Sequence, residues 1–141
     1  MTDPDLSDSC VLIVDDEPSN VLLLETLLRR EGLGRVVGVT DPAEALERFV
    51  TVGPDLGLLD LMMPGIDGYE LLDAIRRQTA ADRFQPVIVL TADRTPAARH
   101  RALALGANDF LTKPLDLVEV MLRVTNLLET VTLYRRLEAR P

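Results

Sequence analysis

Short apolar runs alternate along this chain with longer stretches in which apolar residues recur every three or four positions. The first run, CVLIV at 10–14, gives way to Asp15, Asp16, Glu17 and Pro18, which open a segment carrying Leu22, Leu23, Leu24, Leu27 and Leu28 on a helical period. Proline near the start and Gly32 just past Arg29, Arg30 and Glu31 are the punctuation of a helix. The unit recurs. Apolar runs at 35–39, 55–59, 87–90 and 108–111 precede helical patterns at about 42–50, 67–77, 96–105 and after Pro114. Five strand-then-helix units predict an α/β fold, a parallel sheet with helices on both faces and right-handed crossovers. Gly57 is a misfit in the third strand, marking either a close approach by a helix or a tolerated defect.

The last helix is expected to be long, because no Gly or Pro intervenes between Asp116 and Pro141. Twenty or more residues would span at least ~30 Å, more than a sheet of this size covers. Leu117, Val120, Val124, Leu127, Val131 and Tyr134 follow alternating steps of three and four, the spacing of a coiled-coil seam, so a homodimer through this helix is expected. The organisation anticipated is a flexible arm over 1–9, one compact domain over 10–128, and a helical extension over 129–141 leading toward an output domain outside this chain.

Composition narrows the class. A chain of 141 residues fits one domain, which buries roughly 68–70% of the surface its unfolded form exposes and needs no disulfide to fold. Cys10, the single cysteine, excludes an intrachain disulfide and reads as core at the start of a strand. The acidic opening MTDPDLSD carries no cationic, apolar leader, and no apolar stretch reaches the ~18 residues of a membrane span, so a cytoplasmic protein without a membrane contact is expected. The net charge of −8 argues against direct nucleic-acid binding. Of fifteen basic residues only Lys113 is a lysine. Either a compositional bias spared one position, or that position needs a compact ammonium where a guanidinium fork would not fit. His100 lies among Arg and Ala and is expected to be exposed; Gly32 and Gly34 lack the context of a dinucleotide fingerprint.

Asp15, Asp16, Asp60, Thr91 and Lys113 each stand just past an apolar run. In an open α/β sheet the carboxyl ends of the strands gather at one edge, so these five are expected to converge. Three carboxylates, a hydroxyl and an amine suit a hard cation beside a phosphoryl group. Taken singly each has a plainer role: Asp15 and Asp16 as helix-start residues, Asp60 in a turn, Thr91 and Asp93 as caps, Lys113 as a solvated charge. Their joint placement favours phosphoryl chemistry on an aspartate.

Four blocks, VLIVDDEP at 11–18, LGLLDLMMPGIDGYE at 56–70, VIVLTA at 87–92 and GANDFLTKP at 106–114, resemble the receiver domain of two-component response regulators. The resemblance covers roughly 10–128. It implies a flavodoxin-like (βα)5 fold with strand order 2-1-3-4-5, dependence on Mg²⁺ with Mn²⁺ as a substitute, and a sensor histidine kinase or phosphotransfer protein as phosphoryl donor. Carried over by position, Asp60 is the phosphoacceptor. Asp16 and Asp60 ligate the metal directly, Asp15 through a water and Met62 through its backbone carbonyl. Lys113 and Thr91 contact phosphoryl oxygens, and Thr91, Phe110 and Pro114 form the switch. Pro114 holds the adjoining loop in a fixed geometry, a cis bond being one way to do so.

On this reading the chain is a signalling domain whose only chemistry is its own phosphorylation and dephosphorylation. Two rivals are an Asp-nucleophile phosphatase of the haloacid-dehalogenase type and an interaction module that ignores phosphate. The phosphatase needs a second Asp two residues after the nucleophile; Met62 stands there, and a thioether cannot shuttle protons. The stretches around 108–114 and 123–130 lean toward receivers that precede cyclic-di-nucleotide enzymes or sensor kinases.

Overall fold

The apolar runs become strands because they are covered on both sides. In the computed structural model, which describes residues 6–79 and 83–138, β1 (Cys10–Val14) leads to α1 (Pro18–Arg30) and β2 (Arg35–Val39). A 3-10 turn (Pro42–Glu44) starts α2 (Ala45–Val52), followed by β3 (Leu56–Asp60). Two two-residue strands, β4 (Met62–Met63) and β5 (Ile66–Asp67), pair antiparallel around Gly65 before α3 (Gly68–Gln78). Then come β6 (Val87–Thr91), α4 (Pro96–Ala104), β7 (Asp109–Thr112) and α5 (Leu117–Glu138).

The five long strands are all parallel, in the order β2-β1-β3-β6-β7, which counted without the small hairpin is 2-1-3-4-5. The expected fold is the observed one. Every residue of β3 and β6 is buried, as a strand flanked by helices on both faces must be. Two cores result. Val11, Ile13, Leu58 and Ile88 meet Leu24 and Leu28 of α1 and Val120 and Val124 of α5 on one face. On the other, Leu12, Leu59, Val87 and Val89 meet Phe49 of α2, Leu72 and Ile75 of α3 and Ala102 of α4.

Several expectations are refined by packing. In the leucine run of α1, Leu24 and Leu28 are buried with Val21, whereas Leu22 and Leu23 are 64% and 50% exposed. Gly57 marks a close approach: a Cβ there would stand 2.8 Å from Cε2 of Phe49, so α2 seats its aromatic ring in the gap. The small hairpin escaped the sequence pattern because two residues are too few to show a period; Gly68 completes it, since a Cβ there would meet the Leu61 backbone at 2.4 Å. Cys10 is half-buried rather than fully in the core, and His100 is exposed.

α5 runs unbroken through residue 128, and its 22 residues span ~33 Å. The positions read as a coiled-coil seam are largely used by the domain itself. Val120, Val124 and Val131 are buried with Leu128, and Tyr134 stacks on Phe84 at 4.9 Å between ring centroids. The next residue, Arg135, pairs with Asp55, a buried carboxylate at the foot of β3 that also accepts the Cys10 N–H at 2.7 Å. The stripe left facing solvent is a different one, with Val118, Leu122, Leu133 and Leu137. Of the arm expected over 1–9 and the extension expected over 129–141, residues 1–5 and 139–141 lie outside the described residues.

Candidate functional site

Strand register decides which side chains meet at the carboxyl edge. β1 and β3 align Val14 with Leu59, and β3 and β6 align Asp60 with Leu90, so Asp15, Asp60 and Thr91 end three adjacent strands at nearly one level. Hydrogen bonds from Asp15 N–H to Val39 O, Leu61 N–H to Leu90 O and Lys113 N–H to Thr91 O hold the loops that leave this edge. One carboxylate oxygen each from Asp15, Asp16 and Asp60 lie within 4.8 Å of one another. Asp15 and Asp60 are buried and Asp16 is half-buried.

Each buried carboxylate is held by donors. Asp60 Oδ1 accepts the Met62 N–H at 2.9 Å, and its Oδ2 accepts Lys113 Nζ at 3.1 Å. Asp15 Oδ1 accepts the Glu17 N–H at 2.9 Å; its Oδ2 accepts Asn20 Nδ2 at 3.2 Å and lies 3.5 Å from Lys113 Nζ. Asp15 and Asp60 thus share one ammonium, with Asp16 close beside them. Burial pushes the Asp60 carboxyl above its ordinary pKa; the Met62 N–H and Lys113 pull it back in part, and the charge of Asp15 adds to the rise. Burial alone would lower the Lys113 pKa, but the hydrogen bond and charge of Asp60, with Asp15 behind them, hold it above the ordinary lysine value.

A set of oxygen donors with more negative charge than its one counter-ion balances fits a hard divalent cation, which takes carboxylate and carbonyl oxygens and keeps several waters. The side chain of Met62 points to solvent, 60% exposed, so this position contributes backbone to the site. Thr91 is buried at the end of β6, its Oγ accepting the Asp93 N–H at 3.1 Å. Asp93 in turn accepts the Thr95 N–H at 3.0 Å, and Thr95 caps α4 through the Ala98 N–H at 3.2 Å. This chain of short contacts joins Thr91 to the start of α4. Phe110 is half-buried on β7 and packs against the second core; the Lys113–Pro114 bond is cis.

The structure therefore brings Asp15, Asp16, Asp60 and Lys113 into one cluster and sets Thr91 at the neighbouring strand end. Two contributors were not singled out from sequence. Asn20, on the first turn of α1, binds Asp15, and Arg94 donates through Nη2 to the Lys113 carbonyl at 3.1 Å. A polar residue one helical turn beyond an acidic strand end was the available signal for Asn20. Nothing local announced Arg94, whose partner lies nineteen residues away.

This fold with this cluster at its carboxyl edge defines a phosphoacceptor-type α/β module, and comparison with known proteins makes the class definite. The response regulator receiver domain family matches residues 11–125. The chain belongs to that family. It is 41% identical over 118 residues to the transcriptional regulatory protein TrcR of Mycobacterium tuberculosis, covering 84% of this chain and 44% of that protein. Identity to the alkaline phosphatase synthesis transcriptional regulatory protein PhoP of Bacillus subtilis is 40% over 118 residues, 84% of this chain and 48% of that protein. The chain thus spans about half the length of these curated relatives. Among solved structures, the receiver domain of the Francisella response regulator 1452 superposes with a TM-score of 0.79 at 31% identity, over 87% of this chain and 98% of that one. Chemotaxis protein CheY4 of Vibrio cholerae superposes with a TM-score of 0.76 at 28% identity, over 84% of this chain and 98% of that one. These two curated relatives carry the names of transcriptional regulators, whereas a two-component response regulator/GGDEF domain protein of known structure superposes with a TM-score of 0.80 at 29% identity, over 90% of this chain and 51% of that one. Among the described residues no helix is long and apolar enough to cross a membrane.

Proposed function

We propose that Asp60 is the phosphoacceptor of this receiver domain and that a sensor histidine kinase or phosphotransfer protein is the donor. The observation that carries the reading is the position of Asp60, buried between the Met62 N–H and Lys113 Nζ and within reach of Asp15 and Asp16. A carboxylate oxygen of Asp60 attacks phosphorus, a P–O bond forms as the P–N bond of the donor phosphohistidine breaks, and the product is an acyl phosphate. Asp16, Asp60, the Met62 carbonyl and, through a water, Asp15 would hold Mg²⁺ or Mn²⁺, which neutralises phosphoryl charge when bound. Lys113 stands ready to leave the carboxylates for a phosphoryl oxygen. Water returns Asp60 to its free carboxylate and releases phosphate, so turnover is confined to the domain's own modification.

The switch follows from the Thr91 contacts. Drawing the Thr91 hydroxyl toward a phosphoryl oxygen removes the acceptor of the Asp93 N–H, loosens the loop that caps α4, and opens space toward which Phe110 turns. Phe110 has no hydroxyl, so its two positions differ in apolar burial. The altered surface would be read in the cytoplasm by an output segment or partner. Dimer formation through α5 would have to use the outward stripe of Val118, Leu122, Leu133 and Leu137, since the inner seam faces the domain.

Intact-mass measurement after incubation with acetyl phosphate and Mg²⁺ tests the core of the proposal. One added phosphoryl group is expected, lost on chelation and in Asp60→Asn. Equal uptake by Asp60→Asn defeats the assignment. Thr91→Ala should take up phosphate and yet leave the NMR signals around Phe110 in their unphosphorylated positions.

A further inference from the structure

Asp15 presents a problem that Lys113 cannot solve alone. A buried carboxylate has about four acceptor sites, and their orientation must be fixed by donors if the group is to face a cation in a defined way. Oδ1 is fixed by the Glu17 N–H at 2.9 Å. Oδ2 has two side-chain donors, Asn20 Nδ2 at 3.2 Å and Lys113 Nζ at 3.5 Å. Lys113 lies closer to Asp60, at 3.1 Å, and is the group that a phosphoryl oxygen would draw away. Asn20 then remains as the side chain that holds Oδ2.

Its placement suits that task. Asn20 sits on the first turn of α1, its own N–H bonded to the Glu17 carbonyl at 3.0 Å, so the amide starts from a fixed backbone point. Its –NH₂ faces Asp15 because the amide oxygen would be repelled there. An amide also adds no charge. A lysine or arginine in its place would compete with a divalent cation for the cluster, and a carboxylate would add a fourth negative charge. A neutral donor aims Asp15 while leaving its charge to the metal.

We infer that Asn20 is a positioning residue for the divalent-cation site, acting through Asp15; this rests on the metal-dependent phosphoacceptor reading above. Partners of a metal-ligating group that lie outside the ligand set typically contribute 10–100-fold to metal affinity. Titration of the full chain with Mn²⁺, followed by the electron paramagnetic resonance of the free ion, reads this directly. Asn20→Leu keeps the shape without the donor, and Asn20→Ala is the second variant. Both should bind Mn²⁺ about tenfold more weakly than wild type, with metal-free thermal unfolding close to wild type. Uptake from acetyl phosphate should need more Mg²⁺ for half-saturation and reach nearly the same limiting rate. Wild-type Mn²⁺ affinity in either folded variant overturns the inference. Failure of both variants to fold does the same, because Asn20 would then serve stability. Absence of Mn²⁺ binding by the wild type would instead overturn the phosphoacceptor reading, which separates the two failures.

Discussion

At the scale of single residues the site is a balance of buried charge that folding tolerates for function. The Asp60 pKa is raised, so between its ordinary value and the raised one the folded chain holds a proton that the unfolded chain has released. Stability contributed by this group is lost as pH rises through that window, and at neutral pH the folded state carries the whole cost. Asp60→Asn should therefore raise neutral-pH stability by on the order of 1 kcal/mol, seen as ~3–5 °C in thermal unfolding, with a shallower fall as pH rises above the ordinary carboxylate range. Lys113 has the opposite chemistry: its raised pKa stabilises the fold below the ordinary lysine value and the benefit disappears as pH rises through the raised one. Lys113→Met leaves Asp60 and Asp15 facing each other, and urea unfolding should show a loss of about 2 kcal/mol. Lys113→Arg keeps the charge but not the shape, and phosphate uptake should slow. The five convergent residues were legible because each follows an apolar run. Asn20 offered only the weak local signal of a polar residue on the first turn of the helix after Asp15, and Arg94 offered none, because its partner is set by how the loop after β7 folds back over the edge.

Among the elements, α5 shows where a periodic pattern misleads. Steps of three and four describe any helix that buries one stripe, so Leu117 to Tyr134 fit a partner helix and the chain's own sheet equally well in sequence. Packing decides for the sheet at Val120, Val124 and Val131. Val131→Glu should accordingly destabilise the domain by about 2–3 kcal/mol in chemical denaturation, whereas Leu133→Glu should change stability by less than about 0.5 kcal/mol. Sedimentation of Leu133→Glu, set beside wild type, would test the outward stripe as a pairing surface. Helix count and the opening of β6 at Val87 followed from the alternation of runs, whereas the strand order followed only from the family resemblance. The two-residue hairpin and the 3-10 start before α2 did not, since each is too short to repeat.

Taken whole, the molecule has two poles joined by β3. Asp60 ends that strand at the carboxyl edge with its acid cluster, and Asp55 lies just before it at the base, where it holds Arg135 while Phe84 holds Tyr134. Replacing both Tyr134 and Arg135 by Ala should speed amide hydrogen exchange over 129–138 and leave acetyl-phosphate uptake unchanged, because the base takes no part in the chemistry. The solitary ammonium between Asp60 and Asp15 has a practical sequel. In a chain with a single lysine, reductive methylation with ¹³C-formaldehyde places a dimethylamine at Lys113 and otherwise only at a terminal amine. Its carbon resonance becomes a one-line spectrum of the occupancy of the acid cluster, able to separate carboxylate-bound, metal-displaced and phosphoryl-bound populations without any other label.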